Sequence, residues 1–347
     1  MDSLSQVVLG ASVGGAVMGR TLGRSALLGG ALLGTLPDLD VLIDYGDAVA
    51  NFTEHRGFSH SLLVLLPASL LLAWGLQRWR PAISVWRWWA FTGLCLLTHP
   101  LLDAFTTYGT RLFWPLGDPV AISSIFIIDP LYTLPLLIGV IVALWRPPAR
   151  PALAVGLALS SLYLCWSLVA QQWMTQRVMP ALAERGLSEA PRLVQPMPFS
   201  TLLWRVTVLG EQQRLEIVTG VLDNGDALTV ETFPRSPQDY AQAMQVPAGR
   251  KLAWFTRGFM DVEAGPDQLL ATDIRLGVPG LHPFQFVLAE QQEGVWQALP
   301  SYKLPRPMAN PQAWPALLDR TLSRQPILCL TTLETLPAGS VCPSGMP

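Results

Sequence analysis

This chain is short of charge. Only 14% of its 347 residues are Asp, Glu, Lys or Arg, against roughly a quarter in ordinary soluble domains. Half are hydrophobic. That balance excludes a purely soluble globular protein and points to a membrane. The formal net charge is only −2 and no dense basic patch occurs, so no nucleic-acid partner is expected. Met1-Asp2-Ser3 lacks the basic start of a signal peptide and no A-x-A site follows; the first residues are therefore expected to stay in the mature protein. No internal repeat is visible. There are four cysteines and four histidines. Cys95 and Cys165 lie in apolar runs and read as small hydrophobes. Cys329 and Cys342 are free to pair if the C-terminal region is extracytoplasmic.

The hydrophobic bias concentrates before about residue 171. Residues 7–18 and 25–36 are Gly/Ala/Leu-rich runs split by Gly19, Arg20, Gly23 and Arg24. Each is short of the roughly 20 residues of a standard span, and together they read as a helical hairpin packed by small residues, spanning or re-entrant. Four stronger apolar segments follow at 61–77, 86–102, 122–145 and 151–170. Trp86, Trp88 and Trp89 suggest an interfacial aromatic belt. One set of connections carries seven arginines (Arg20, Arg24, Arg78, Arg80, Arg87, Arg146, Arg150), and the opposite set carries Arg56 and Arg111. The positive-inside rule puts the seven in the cytoplasm and the C-terminal region on the other side. Beyond residue 172, Thr201–Leu209, Arg214–Val221, Ala227–Phe233, Lys251–Met260, Leu269–Leu276 and Phe284–Ala289 read as strands, with a turn signal at Asp223-Asn224-Gly225. Pro191–Pro198 and Pro300–Pro311 read as loops. The expected architecture is a mainly α membrane domain, residues 1–171, with a hairpin and about four transmembrane helices. A β-rich extracytoplasmic domain, residues 172–347, follows.

The chemistry-bearing residues sit in the polar stretch between the hairpin and the stronger apolar segments and at the end of one of those segments. Asp38 and Asp40 occur in Leu-Pro-Asp-Leu-Asp, His55 and His60 in His-Arg-Gly-Phe-Ser-His, and His99 and Asp103 four residues apart in an apolar stretch. Residues at i and i+4 share one helix face, and a His and an Asp on a lipid-buried helix are costly unless they bind something. In an extended chain Asp38 and Asp40 point the same way. Imidazole plus carboxylate is a ligand mix for zinc or a similar divalent ion. Each part has a plainer reading. An isolated HxxxD is weak evidence, Asp38 could cap a helix, and Asp129 before Pro130 fits an N-cap. His282 reads as structural. Taken jointly, three histidines and three acids on one predicted membrane face exceed what caps require. Asp40, His55, His60, His99 and Asp103 are the expected metal ligands. Asp38 is expected as a ligand or general base and Arg56 as the binder of an anionic substrate. Ser59, Tyr108 and Asp129 are candidates to support the ligands from behind.

Pro37-Asp38-Leu39-Asp40, His55-Arg56-Gly57-Phe58-Ser59-His60-Ser61 and Thr98-His99-Pro100-Leu101-Leu102-Asp103 with Thr107-Tyr108-Gly109 resemble the YdjM-like inner-membrane metal-dependent hydrolases of bacteria. The similarity covers roughly residues 1–170. Ile128-Asp129-Pro130-Leu131-Tyr132-Thr133 is similar to a further family segment, and Trp254–Phe259 and Asp273–Gly277 to the extension of longer members. The resemblance implies a multi-pass inner-membrane protein, and the arginine asymmetry then puts the site and the C-terminal domain on the periplasmic side. It also implies a distant relation to zinc-dependent phospholipases C and fungal zinc single-strand nucleases, whose ligands include an HxxxD pair. This chain has too few histidines for their three-zinc site and keeps its helices in a membrane. The expected activity is hydrolysis by a metal-activated water of a phosphoester or lipid-linked envelope substrate. Two other readings stand beside it: a metal-stabilised scaffold that binds a partner, and a transporter using the buried acids and histidines, although these cluster at one membrane face and not the midplane.

Overall fold

The computed structural model describes residues 1–146, 150–223, 228–308, 313–322 and 327–336, with Ser340 and Cys342. Residues 224–227 lie outside them, so the Asn-Gly turn signal is untraced. The chain forms two compact units. The first comprises residues 1–43, 55–168 and 198–200, and the second 44–54, 169–197 and 201–347.

The first unit is helical. Helices α1 (Ser3–Leu22) and α2 (Arg24–Thr35) form the hairpin. Asp2 caps α1 by accepting from the Ser5 N–H at 3.1 Å, and Gly23, at φ +58°, makes the reversal. The two helices touch through glycine. A Cβ on Gly14 would lie 2.8 Å from the Gly30 Cα, and one on Gly34 2.8 Å from the Gln6 carbonyl oxygen. Both fall below any real Cβ separation, so only glycine permits this approach. A 3₁₀ turn at Leu36–Leu42 ends the hairpin, and a second covers Phe58–His60. Helices α4 (Leu62–Trp79), α5 (Val85–Asp103), α6 (Pro130–Trp145) and the first half of α7 (Arg150–Ala183) complete the unit.

Helix α1 packs on α2, α5 and α6, and α4 packs on α5. The arginine-bearing ends come together: Arg87 donates to Thr21 Oγ1 at 2.6 Å, and Arg150 Nε to the Ala16 carbonyl at 3.0 Å. At the other end, the Asp2 N–H reaches the Ile127 carbonyl and the Leu62 N–H the Leu112 carbonyl. The seven arginines thus gather at one end of the bundle and His55, His60 and His99 at the other.

Among the described residues, three helices are long and apolar enough to cross a membrane: Arg24–Leu42, Leu62–Trp79 and Arg150–Ala183. With the shorter apolar helix Pro130–Trp145 beside them, the count is roughly that expected. Residues 86–102 form instead the buried central helix, with Trp88 in the core and not in an interfacial belt. The 122–145 segment is helical only from Pro130. Ile122 and Ser124 donate instead to the Ala104 and Phe105 carbonyls, and Asp129 with Pro130 starts the helix. Residues 24–42 reach spanning length because the 3₁₀ turn continues α2.

The second unit is β-rich. It contains α3 (Ala48–Glu54) and a meander of β1 (Arg192–Pro196), β2 (Leu203–Leu209), β3 (Gln213–Gly220) and β4 (Thr229–Pro234). A second meander joins β5 (Met260–Ala264), β6 (Gln268–Asp273), β7 (Gln285–Gln292) and β8 (Val295–Lys303). Helices α8 (Pro237–Ala243), α9 (Pro247–Thr256) and α10 (Ala313–Leu322) and a hairpin of β9 (Ile327–Cys329) and β10 (Glu334–Leu336) complete it. The distal half of α7 sends Ala170, Met174, Val178 and Leu182, spaced four apart, into the core formed with Trp204, Val206, Leu215 and Ile217. Arg205 and Glu216, both buried, form a two-pronged ion pair across β2 and β3. A disulfide joins Cys329 and Cys342.

Three expectations for this region are corrected. Lys251–Met260 is not a strand: α9 starts with Pro247 at its first turn and buries Gly249, Leu252, Phe255 and Thr256. That helical period outweighs the aromatic β-propensity of Trp254-Phe255-Thr256. The Pro191–Pro198 and Pro300–Pro311 stretches are not only loops, because they hold β1 and the end of β8. Both are edge strands, where proline's missing N–H leaves no ladder partner unmatched.

Candidate metal centre

Four side chains converge at the histidine end of the bundle: Asp38 from the first 3₁₀ turn, His60 from the second, and His99 and Asp103 from the last turn of α5. One donor atom from each lies within 4.8 Å of all the others. The Nε2 atoms of His60 and His99 are 3.1 Å apart. Asp38 Oδ1 is 3.3 Å from His60 Nε2 and 3.4 Å from His99 Nε2. Asp103 Oδ2 is 3.3 and 3.4 Å from the same two atoms. A tetrahedral ion with ligands at 2.0–2.1 Å has donor–donor edges of about 3.3–3.4 Å; the four His–Asp edges have that length, and the His60–His99 edge is slightly shorter.

Hydrogen bonding fixes what the four atoms present. A carboxylate only accepts, so Ser59 Oγ gives its one proton to Asp40 Oδ2 (2.7 Å). It must then accept from His60 Nδ1 (2.9 Å), which leaves the His60 Nε2 lone pair bare. The His99 Nδ1–H donates to the Gly34 carbonyl, so the neutral His99 ring also has a bare Nε2. Asp38 Oδ1 and Asp103 Oδ2 are buried without a hydrogen-bond partner among the described residues. Four lone pairs thus face one another, with no proton between them in the neutral rings. Buried polar atoms are rarely left so, and a cation satisfies all four. The cluster fits a divalent metal. Locking the ligand tautomers from behind is also what metal-bound imidazoles require.

The cluster brings together three of the five ligands expected from sequence, His60, His99 and Asp103, with Asp38, which was expected as a ligand or general base. Asp38 enters it, while Asp40 and His55 stand behind it. Asp40 is fully engaged: Oδ1 accepts from His55 Nδ1 (2.9 Å), and Oδ2 accepts from the Arg56 N–H (2.8 Å) and Ser59 Oγ. That carboxylate organises the 55–60 loop, in which Arg56 holds a left-handed φ of 63°. The His55 side chain is 22% exposed, and its ring centroid lies 6.1 Å from that of His60 and 5.8 Å from that of Tyr108. Arg56 is buried, with Nε 3.3 Å from Asp103 Oδ2 and its guanidinium over the Tyr108 ring. Its Nη1 has no hydrogen-bond partner among the described residues.

Three supporting groups had no signal in the motifs. Gln6 Nε2 donates to Asp103 Oδ1 at 3.0 Å and the Met1 amino group pairs with the same oxygen, which turns Oδ2 toward the cluster. The Gly34 carbonyl is a backbone atom, and only the close glycine packing of α1 and α2 betrays its placement. Asp129 does not support the cluster. Its oxygens accept from the Leu131 N–H and the Tyr163 hydroxyl, and burial pushes its carboxyl up to about 6. His282 belongs to the second unit, where its Nδ1 donates to the Leu276 carbonyl. Burial moves its imidazole down to about 3.

The family model described as YdjM inner membrane protein matches residues 1–174. The inner membrane protein YbcI of Escherichia coli (strain K12) is 41% identical over 95 residues, which are 26% of this chain and 54% of YbcI. The chain therefore aligns with about half of that relative's length. A Bacillus subtilis (strain 168) protein described as uncharacterized, YfhP, is 26% identical over 247 residues, 68% of this chain and 73% of YfhP. No solved structure matches.

Proposed function

Because this chain belongs to the YdjM inner membrane protein family, we propose that it is a membrane-bound, zinc-dependent hydrolase of phosphoester or lipid-linked substrates. The observation that carries the reading is the set of four bare lone pairs at tetrahedral spacing. Asp38, His60, His99 and Asp103 would hold the ion. An ion with an accessible position supplies a nucleophile by lowering the pKa of water to about 7. The cluster is closed on three sides, since the side chains of His60, His99 and Asp103 have no exposure, whereas that of Asp38 is 25% exposed. Substrate and water therefore enter past Asp38 and His55.

Of the groups suited to proton transfer, Asp38 is drawn into the cluster, which leaves His55. Asp40 holds its Nδ1–H, so Nε2 is free to accept. In the hydrolytic step the water oxygen bonds to phosphorus and the bond to the leaving oxygen breaks. The proton released by the water passes through His55 Nε2 to that oxygen. Arg56 anchors the anionic group through a charged hydrogen bond.

Purified protein should hydrolyse at least one member of a panel of phosphodiesters, phosphomonoesters and phospholipids in a chelator-sensitive way. His55→Ala should keep its metal and lose about 100-fold or more in rate, the usual reach of a general base. Metal-replete protein inactive across the panel would refute the hydrolase. The second reading, a metal-stabilised scaffold, is favoured by one observation: four protein donors already complete a tetrahedron. It requires metal that raises the unfolding temperature without any turnover.

We further propose that the cluster and the second unit face the periplasm. The gathering of seven arginines at the opposite end of the bundle supports this, as does the Cys329–Cys342 disulfide, which suits an oxidising compartment. A reporter active only in the periplasm should be active when fused after residue 175 and inactive in the 78–87 connection. The reverse pattern inverts the orientation.

A further inference from the structure

We propose that the substrate is an amphiphile drawn from the bilayer, whose phosphate head meets Arg56 and the cluster while its apolar tail lies on a rim of exposed side chains around them. The proposal rests on the hydrolase reading for the head and on independent observations for the tail.

The rim is built from the segments that carry the ligands. Leu39 and Leu42 are exposed on the 3₁₀ turn that holds Asp38, and Phe58 is exposed two residues before His60. Phe113 and Leu116, also exposed, come from the loop after α5. That loop is tied to the ligand segment. The Arg111 N–H donates to the Arg56 carbonyl, the Leu62 N–H to the Leu112 carbonyl, and Ser61 Oγ to the Trp114 carbonyl. Phe58 and Trp114 meet edge to face with centroids 6.3 Å apart. Large apolar side chains are thus displayed beside a polar, metal-fitting cluster, where a site for a water-soluble ester would carry polar groups. Exposed apolar patches of this kind mark interaction sites. The rim is also continuous with the lipid-facing surface, because Leu28, Leu32 and Leu36 expose the same apolar character along α2 up to the 3₁₀ turn. Beside it, the buried Arg56 offers a charged N–H with no hydrogen-bond partner among the described residues. An apolar approach that ends at a guanidinium whose Nη1 has no hydrogen-bond partner among the described residues, and at a metal-fitting cluster, suits a tail that ends in a phosphate.

The test uses full-length, zinc-loaded protein in detergent and a hexadecyl phosphonate brominated in mid-chain, which cannot be hydrolysed. Bromine quenches nearby indoles, and the Trp114 contribution is the difference between wild type and Trp114→Phe. The phosphonate should quench Trp114 saturably, and the same brominated chain ending in an alcohol should need at least about tenfold more. Arg56→Gln should weaken the phosphonate about tenfold, as expected for one lost charged hydrogen bond. Leu39→Ser with Phe113→Ser should weaken it similarly while leaving competition by methylphosphonate unchanged. Equal quenching by the alcohol would make the rim a mere bilayer contact and overturn the proposal. So would methylphosphonate competing as well as the long-chain probe. The failure of the hydrolase reading looks different: head-dependent quenching persists, but hexadecyl 4-nitrophenyl phosphate is not turned over.

Discussion

Replacing His99 by alanine should empty the metal site. Its Nε2 lies 3.1–3.4 Å from the donors of His60, Asp38 and Asp103, and its loss leaves three donors with no fourth side chain of the cluster to replace it. His60→Ala and Asp103→Asn should act alike, because both residues are buried and every other partner they have serves to aim them inward. Metal analysis of detergent-purified protein should show occupancy falling from near one ion per chain to a small residue in each. Asp40→Asn should behave differently. It removes the acceptor that fixes the Ser59 proton and hence the His60 tautomer, so affinity should fall by about 10–100-fold, the usual cost of losing a group that orients a ligand, with metal still bound at saturating zinc. His55→Ala should retain its metal. Full occupancy in the His60, His99 and Asp103 variants together would remove the metal centre from this protein. An empty site in His55→Ala would restore His55 as a ligand.

Gly30→Ala should destabilise the protein by more than an ordinary overpacked core position, which costs about 1–3 kcal/mol. Its new Cβ would run into the Gly10 carbonyl oxygen and come within 3.0 Å of the Gly14 Cα. Both neighbours are backbone of the facing helix, so no side chain can turn aside and the hairpin must open. Opening it moves α2 and what α2 carries: the Gly34 carbonyl that orients His99 and, four residues on, Asp38. Unfolding temperature and zinc affinity should therefore fall together. Gly19→Ala is the control. Nothing lies within 4 Å of a Cβ built there, and a helical alanine is favoured over glycine by about 1 kcal/mol, so that variant should be neutral or slightly stabilised. Equal behaviour of the two variants would show that the close approach is not what holds the hairpin.

Much of this molecule is legible in the amino-acid order. The scarcity of charge and the apolar runs announce the membrane helices. The glycines of the first 36 residues announce a tightly packed hairpin, and Asp129-Pro130 announces the start of α6. His99 and Asp103, four apart on one helix, must face the same way, and both do reach the cluster. For the second carboxylate the sequence offers both Asp38 and Asp40 and does not choose between them. In an extended strand Asp38 and Asp40 share a face, but Pro37 and its neighbours form a 3₁₀ turn with about three residues per turn. Residues two apart then point roughly 240° apart, so one carboxylate joins the cluster and the other turns to the 55–60 loop. His55 and His60 are parted in the same way, by the left-handed turn at Arg56 and the draw of Asp40 on Ser59. Residue types and spacing name the chemistry a chain can hold. Which of those residues meet depends on turn geometry and on groups such as the Gly34 carbonyl and the Gln6 side chain, set by contacts between segments up to 102 positions apart.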